Sequence, residues 1–404
     1  MLMGASVLLT GCAMRPAMEV DIQDTLDALI EKGAAAAGLI VRQSGEVLVS
    51  AASGFASGLS IEEASAGIPL RPFTPQTKMR VASVSKMGVA LTALRLSQTG
   101  AFGLDDDVST WWPGLVNPAF PNTPITTRHL LSHTSTLIDP DAYWVAAPGE
   151  IESVVNGDVW SAIGPPGDWF TYCNLNYGIA ATVLERISGE RFDRLANRLA
   201  LEPSGLGSAG YNWAGVPQSE RRAGATLYRF SEGQWRVQTD GTDTLNDTAP
   251  SGLVETGFQY ADYQVGSNGT LFSPQGGLRA SLEDMANLAG SVSKTVLTQP
   301  VWRADAARSN GQTEGGLYLV SGTGVFSWPE DQSPIPGHAM VGHDGEAYGL
   351  YSGAWSIPAL DAQIAFAVTG TPDGEQPPGV THSGYNIWSQ TLFDLAARRL
   401  GLIT

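Results

Sequence analysis

Ser83 and Lys86 are the two residues of this sequence best suited to covalent chemistry. A serine hydroxyl is a poor nucleophile until an adjacent base takes its proton. Positions i and i+3 share one face of a helix, so the amine of Lys86 can touch the hydroxyl of Ser83. The amine must be neutral to act as a base, which requires its pKa to fall from ~10.4 toward 7 through burial and neighbouring positive charge. The spacing therefore predicts a lysine-activated serine nucleophile.

The same tetrapeptide, Ser-Val-Ser-Lys, occurs again at residues 291–294, so the two copies have to be ranked. Ser83 opens a helix predicted over 81–96, where free backbone N–H groups and the positive end of the dipole favour a developing oxyanion. Ser291 follows a helix predicted over 281–289 and so lies near a C-terminus, which is the wrong end of the dipole. We therefore predict that Ser83, and not Ser291, is the nucleophile.

Two further motifs lie downstream of the first pair. They are Tyr172-Cys173-Asn174 and Gly342-His343-Asp344-Gly345. In this order and spacing, residues 80–86 and the two motifs resemble class C β-lactamases and their relatives, which include D,D-peptidases, D-aminopeptidases and β-lactamase-fold esterases. Residues 104–108, 128–135 and 276–278 fit the same family, and the resemblance covers roughly residues 22–400.

The resemblance implies roles for the residues of the first two motifs. Ser83 would form the acyl-enzyme. Lys86 and Tyr172 would share the proton transfers as general base and general acid, with the choice of base for Ser83 left open. Asn174 would orient the substrate and hold Lys86, while Cys173 is expected to be a small packed residue.

The third motif departs from the commonest form of the family. His343 takes the position that a lysine holds in most class C β-lactamases, and Gly345 completes the motif. The resemblance assigns the oxyanion hole to the backbone N–H groups of Ser83 and Glu346. An acid at Glu346, with Asp344 nearby, predicts that anionic substrates are disfavoured. The missing lysine lowers the expectation of β-lactamase activity.

The distribution of strand and helix patterns predicts the fold class. A hairpin is predicted from strands 38–41 and 47–52, strands return at 317–320, 349–356 and 363–368, and helices are predicted at 22–30 and 387–400. We expect an α/β (α+β) fold of the β-lactamase/transpeptidase type, with an antiparallel sheet flanked by helices. The α/β part would comprise 21–100 and 271–404, and an inserted helical part 101–270, with the active site in the cleft between them.

Composition and motif content exclude several other classes of protein. The 404 residues carry a net charge of −17, which disfavours nucleic acid as a partner. His129 and His133 are spaced like a metal pair but have no third ligand at a known spacing, so no metal is predicted. No Gly-x-Ser-x-Gly elbow is present in the sequence, which argues against an ordinary α/β-hydrolase. No cofactor is expected.

The N-terminal residues predict a membrane anchor. Leu9-Thr10-Gly11-Cys12 ends a short apolar run and resembles the lipobox of bacterial lipoproteins. Residues 1–20 would then be a lipoprotein-type signal and linker, with lipidation at Cys12, followed by one β-lactamase-like domain over 21–404. The expected location is the bacterial cell envelope, on the periplasmic face. The alternative is an ordinary apolar N-terminus.

These observations predict a serine hydrolase that acts on carboxylic esters or small D-amino-acid amides through a covalent intermediate on Ser83. Its partner would be a small-molecule ester, amide or peptide substrate. One alternative is a β-lactamase or D,D-carboxypeptidase. A second, from a different class, is a non-catalytic penicillin-recognising binding or sensor protein, although a pure binder has no need of an activated nucleophile.

Overall fold

The predicted N-terminal hairpin is present and forms one side of the central sheet. The computed structural model describes residues 17–57, 71–231, 234–238, 258, 260–371 and 385–403. Strands β1 (Ala36–Gln43) and β2 (Glu46–Ser57) pair antiparallel. Their two-residue turn has Ser44 and Gly45 at φ 51° and 84°. This left-handed conformation matches the twist of the flanking strands, which is why a Ser-Gly turn suits a hairpin.

A nine-stranded sheet, in the order β3-β2-β1-β13-β12-β11-β10-β9-β8, joins the N-terminal strands to C-terminal ones. Its antiparallel architecture confirms the predicted fold class. The remaining strands of this sheet are β3 (Arg71–Pro72), β8 (Trp302–Arg303), β9 (Val320–Ser321), β10 (Phe326–Trp328), β11 (Met340–Ala347), β12 (Leu350–Ile357) and β13 (Ala362–Thr369). Two small pairs lie outside it, β4 (Met79–Arg80) with β7 (Arg279–Ala280), and β5 (Leu227–Ser231) with β6 (Gln234–Gln238).

One strand prediction was wrong in its position. The run 317–320 was predicted as a strand, but β9 begins only at Val320. The residues before it follow a single helical turn, Glu314–Gly316, in which Gly315 and Gly316 have φ of 66° and 94°. The N–H groups of Leu317 and Tyr318 donate back to the carbonyls of Glu314 and Thr313, so they are not available to a neighbouring strand and the sheet starts later than the apolar letters indicate.

Helices cover both faces of the sheet. They are α1 (Ala17–Glu31), α2 (Ser85–Ser97), α3 (Thr127–Leu131), α4 (Leu175–Ser188), α5 (Phe192–Ala196), α6 (Gln218–Ala223), α7 (Leu282–Ser293) and α8 (Ile387–Arg399). One apolar cluster contains side chains of α1 and α8 on one face, and a larger cluster joins α2, α4 and α7 to the other. None of these described helices has a stretch both long enough and apolar enough to span a membrane.

Local sequence signals set the ends of several helices. The N-cap of α7 is Ser281, whose hydroxyl accepts from the Asp284 N–H at 3.2 Å, while the Asp284 carboxylate accepts from the Ser281 N–H at 2.7 Å. This reciprocal capping box supplies partners for backbone N–H groups that the helix leaves free. Gly189, at φ 69°, ends α4 in the left-handed conformation. The start of α7 lies where the sequence analysis predicts it.

The segment 101–270 carries α3 to α6, several single turns and the hairpin β5–β6. Its residues share the larger apolar cluster with the sheet, so the helical part and the α/β part have a continuous core. The division into the two parts at 100 and 271 stays a prediction.

Candidate active site

Ser83 lies in a turn before α2 and not within the helix itself. A helix was predicted from residue 81, but Ala82–Val84 form a single 3₁₀ turn and α2 begins at Ser85. The hydroxyl of Ser85 donates to the Ala82 carbonyl at 2.5 Å and accepts from the Leu278 N–H at 3.0 Å, which secures this turn. Ala82 has φ 47°, an unfavourable value for a residue with a Cβ. The strained turn therefore presents Ser83 at the junction of α2 and the sheet.

Two predicted site residues converge on the hydroxyl of Ser83, and a third contacts one of them. The Nζ of Lys86 lies 2.9 Å from Ser83 Oγ, and the hydroxyl of Tyr172 donates to the same oxygen at 2.8 Å. Lys86 also donates to Asn174 Oδ1 at 2.9 Å and to the backbone carbonyl of Gln275 at 2.8 Å. Lys86 thus joins Ser83 to the segment before α4 and to the segment before α7.

Burial sets the protonation states of the lysine and the tyrosine. Burial lowers the pKa of Lys86 to about 7, against the nearby charge of Asp139, which raises it. Burial raises the pKa of Tyr172 well above its usual value, so the phenol is neutral at physiological pH. A neutral amine has two N–H bonds and one lone pair. The carbonyls of Asn174 and Gln275 take the two N–H bonds, which leaves the lone pair of Lys86 for the proton of Ser83.

The third motif reaches the site through β11. A Cβ on Gly345 would lie 2.5 Å from the Val81 carbonyl oxygen and 2.4 Å from Ser352 Oγ, so only glycine allows the strand to lie against the turn that carries Ser83. The ring of His343 is 6.4 Å from the Tyr172 ring, measured between centroids, and 4.9 Å from that of Phe326. His343 and Gly345 therefore face the Ser83–Tyr172 pair.

His343 is neutral, and its Nε2 atom carries a free lone pair. Its Nδ1 lies 2.6 Å from the Asp344 carbonyl oxygen, which can only accept, so Nδ1 carries the proton. Its Nε2 is buried and has no hydrogen-bond partner among the described residues. Burial, and then the charge of Lys86, lower the pKa of His343 to about 3. This position therefore offers a lone pair and no positive charge.

The two acids of the third motif, which the sequence analysis took to disfavour anionic substrates, do not turn their side chains toward Ser83. The carboxylate of Asp344 accepts from Trp355 Nε1 at 3.0 Å and from the hydroxyl of Tyr385 at 2.7 Å, on the face of the sheet covered by α1 and α8. Alternation along β11 puts the Glu346 side chain on this same face, where it is exposed and bonded to the Tyr351 hydroxyl. The backbone N–H of Glu346 stays the predicted oxyanion-hole donor.

The second Ser-x-x-Lys tetrapeptide lies away from these groups. Ser291 is in the last turn of α7 and Lys294 is its exposed C-cap residue. Both features agree with the polarity argument made from the sequence. The hydroxyl of Ser83, by contrast, is bonded to Lys86 of α2 and to Tyr172 of the segment before α4.

The two spaced histidines have separate structural tasks. The ring of His129 caps α3 by accepting from the Thr126 N–H at 3.4 Å. His133 is buried, accepts from the Cys173 N–H at 3.0 Å and stacks on the Tyr172 ring with centroids 4.4 Å apart. Among the residues that the structure describes, no group of His, Cys, Asp and Glu side chains could hold a metal ion.

Asp139 is the important neighbour that the sequence reasoning missed. Its carboxylate accepts from the backbone N–H and the side-chain Nδ2 of Asn174, at 2.8 and 2.9 Å. It also accepts from the Leu175 N–H at 2.8 Å and the Cys173 thiol at 3.3 Å. Cys173 is buried and packed, as predicted. Asp139 lies in an irregular segment 33 positions before the Tyr-x-Asn motif, where no spacing rule connects the two.

Comparison with known proteins identifies the family. The family model described as Beta-lactamase matches residues 21–383. Esterase EstB of Burkholderia gladioli is 26% identical over 387 residues, which cover 87% of this chain and 90% of EstB. Penicillin-binding protein 4* of Bacillus subtilis is 29% identical over 144 residues, which cover 34% of this chain and only 31% of that relative.

A solved structure shows the same fold over nearly the whole chain. The class C β-lactamase of Rhodobacter sphaeroides superposes with a TM-score of 0.62 at 15% identity, covering 94% of this chain and 99% of that one. The fold is that of the β-lactamase scaffold, and the family supports a serine hydrolase in general. The chain belongs to the β-lactamase family, whose model spans most of its length.

Proposed function

We propose that this chain hydrolyses carboxylic esters or small amides through an acyl-enzyme on Ser83. The observation that supports this mechanism is the convergence of the Lys86 amine and the Tyr172 hydroxyl on one serine oxygen, at 2.9 and 2.8 Å. A serine with a base and an acid both within hydrogen-bond distance has the arrangement that nucleophilic catalysis requires. A protein that only binds its ligand would not need it.

The proposed first half-reaction is acylation. Neutral Lys86 takes the proton of Ser83 as Oγ attacks the carbonyl carbon of the substrate. Tyr172 gives its proton to the departing alcohol or amine and is reprotonated from Lys86, because its raised pKa makes a lasting phenolate unfavourable. The bond from Oγ to the acyl carbon forms, and the bond to the leaving group breaks.

The proposed second half-reaction reverses these proton transfers with water as the nucleophile. Lys86, neutral again, takes a proton from the water, and Ser83 Oγ recovers a proton as the ester bond breaks. The backbone N–H groups of Ser83 and Glu346 would stabilise the oxyanion in both steps. Supporting this assignment, Gly345 lets β11 lie directly against the turn that carries Ser83.

The substrate class follows from the third motif. A substrate carboxylate bound beside the third motif would find the neutral, buried ring of His343, which supplies no positive charge to hold it. We therefore propose neutral esters, or substrates that present an N–H or O–H group, over β-lactams and peptides with a free C-terminal carboxylate. The proposal is also supported by the similarity to EstB, which is named as an esterase and is similar over 87% of this chain.

A positive charge at residue 343 should change the preference for neutral over anionic esters. His343→Lys is expected to raise kcat/KM for an anionic ester, relative to a matched neutral ester, by about 10-fold, because an unlike charge then faces the carboxylate. The measurement is kcat/KM of wild type and variant on p-nitrophenyl butyrate and a p-nitrophenyl hemisuccinate. His338→Lys, which adds the same charge on the turn before β11, is the matched control and should leave the ratio unchanged.

A second variant, at Glu346, provides a measurement if the His343→Lys protein does not fold. Glu346→Gln is expected to alter the same ratio by less than about threefold, since its exposed carboxylate on the far face of β11 is screened. The substrate proposal fails if wild type already prefers the anionic ester. It also fails if nitrocefin is turned over faster than p-nitrophenyl butyrate and D-amino-acid anilides. A stable adduct without turnover would instead support the binding or sensor function.

We propose separately that the protein is held at the bacterial envelope by lipidation of Cys12. This residue lies outside the described residues, and the proposal rests on the lipobox-like sequence alone. Acyl chains supply ~0.8 kcal/mol per buried methylene, so two chains hold a soluble domain at a membrane. The wild type should fractionate with membranes and Cys12→Ala should not, with Cys173→Ala as the matched control. Wild type in the soluble fraction would contradict the proposal.

A further inference from the structure

Both carboxylate oxygens of Asp139 accept hydrogen bonds from the segment that carries the second motif. Oδ2 accepts from the backbone N–H of Asn174 at 2.8 Å and from its side-chain Nδ2 at 2.9 Å. Oδ1 accepts from the Leu175 N–H at 2.8 Å. We propose that Asp139 is a positioning residue for the acylation step, acting through the side-chain amide of Asn174. This inference rests on the proposed roles of Ser83 and Lys86.

The carboxylate determines which end of the Asn174 amide faces the lysine. Because Nδ2 donates to Asp139, the other end, Oδ1, is the atom placed 2.9 Å from Lys86 Nζ. The opposite orientation would set an NH₂ group against the N–H bonds of Lys86 and an amide oxygen against a carboxylate. Both contacts are repulsive, so Asp139 holds the amide in the one orientation that accepts from Lys86.

The orientation of Asn174 affects where the lysine lone pair points. Lys86 has two fixed acceptors, Asn174 Oδ1 and the Gln275 carbonyl, and its lone pair faces Ser83 only while both hold its N–H bonds. Losing one acceptor lets the amine rotate and turn an N–H toward Ser83 Oγ. A base in that orientation cannot accept the serine proton, so misorientation lowers the rate without removing a catalytic group.

Asp139 also supplies the charge that opposes the burial of the amine. Its negative charge raises the pKa of Lys86, which burial would otherwise lower further. The other titratable groups around the amine are neutral near pH 7, because burial raises the pKa of the phenols and the thiol and lowers that of the imidazoles. They are Tyr172, Cys173, Tyr177, His133 and His343. Among the described groups facing Lys86, Asp139 is thus the source of negative charge.

A purely structural role for Asp139 makes different predictions. Its contacts to N–H groups at the start of α4 resemble a helix cap, whose loss lowers stability. That loss would lower the melting temperature and leave the pH dependence of Ser83 reactivity unchanged. The decisive readout is therefore the pH profile of Ser83 labelling by a fluorophosphonate, which reports nucleophilicity whatever the natural substrate is.

The experiment compares two substitutions at Asp139 with one at Asp141, an exposed acid two positions later. Asp139→Asn removes the charge and should move the acid limb of the labelling profile to lower pH by roughly half a unit to one unit. It should also lower the plateau rate about 10–100-fold. Asp139→Glu keeps the charge and displaces the oxygens, so the limb should stay and the plateau should fall. Asp141→Asn should match wild type in both respects.

A double-variant cycle separates the two effects of Asp139. In an Asn174→Ala background there is no amide to orient, so adding Asp139→Asn should shift the limb but lower the plateau by less than about twofold. An unchanged limb in Asp139→Asn, or a full plateau loss in the Asn174→Ala background, overturns the inference. If Asp139→Asn does not fold, Asp139→Glu and Asn174→Ala are each compared with wild type. A lower plateau rate in both supports the inference, and a wild-type plateau rate in either overturns it. Failure of wild type to label at all would instead contradict the proposed function.

Discussion

Ser83→Ala is expected to lower kcat/KM for a p-nitrophenyl ester by about 10⁴-fold or more, because removing Oγ removes the atom that forms the acyl-enzyme. Ser291→Ala, which changes the matching serine of the duplicated tetrapeptide, should stay within about twofold of wild type. The measurement is steady-state hydrolysis with melting temperatures recorded in parallel. Equal losses in the two variants, or an active Ser83→Ala, would show that the duplicated motif had been ranked wrongly.

The second large effect is expected at Lys86. Lys86→Met keeps the length of the side chain and removes the base, and should lower kcat/KM by about 10²–10⁴-fold. Its melting temperature should change little, because the absence of a desolvation cost for the thioether offsets the loss of the hydrogen bonds to Asn174 and Gln275. Retained stability therefore separates the loss of a base from a loss of fold. Lys294→Met, in the exposed second copy of the motif, is the matched control and should be fully active.

The pH dependence of the wild type checks the same assignment. Burial lowers the pKa of Lys86 to about 7, and the amine accepts a proton only when neutral. Activity should therefore rise with pH through about 7 and be lost below it, as Lys86 becomes protonated. His343, whose pKa is lowered to about 3, cannot account for that limb. A profile that is flat between pH 5.5 and 8.5 would contradict Lys86 as the base.

The predictable parts of this protein are those in which local chemistry and tertiary structure agree. The Ser44-Gly45 turn, the capping box at Ser281 and the left-handed Gly189 each have a physical cause within a few residues. The Ser-x-x-Lys and Tyr-x-Asn motifs were predictable for the same reason, since each lies on or beside one helix. Their meeting at Ser83 came from the family resemblance rather than from spacing.

The features that the sequence did not reveal depend on burial and on distant partners. Strand β11 was not predicted as a strand, because His343 is buried on one face and Asp344 is half-buried on the other, which leaves no alternation of apolar and polar letters. Successive side chains of a strand point to opposite faces, so Asp344 points away from the site. The neutrality of His343 depends on its burial, and the contact of Asp139 with Asn174 joins segments 35 positions apart. Single-sequence patterns carry no information on either.

The most direct test of the account is the location of the covalent intermediate. Wild-type protein is incubated with a fluorophosphonate, or acid-quenched during turnover of a slow p-nitrophenyl ester, then digested and mapped by tandem mass spectrometry. The account predicts one adduct, on the hydroxyl of Ser83, that is absent from Ser83→Ala and retained in Ser291→Ala. An adduct on Ser291, or turnover with no adduct on any serine, would contradict it.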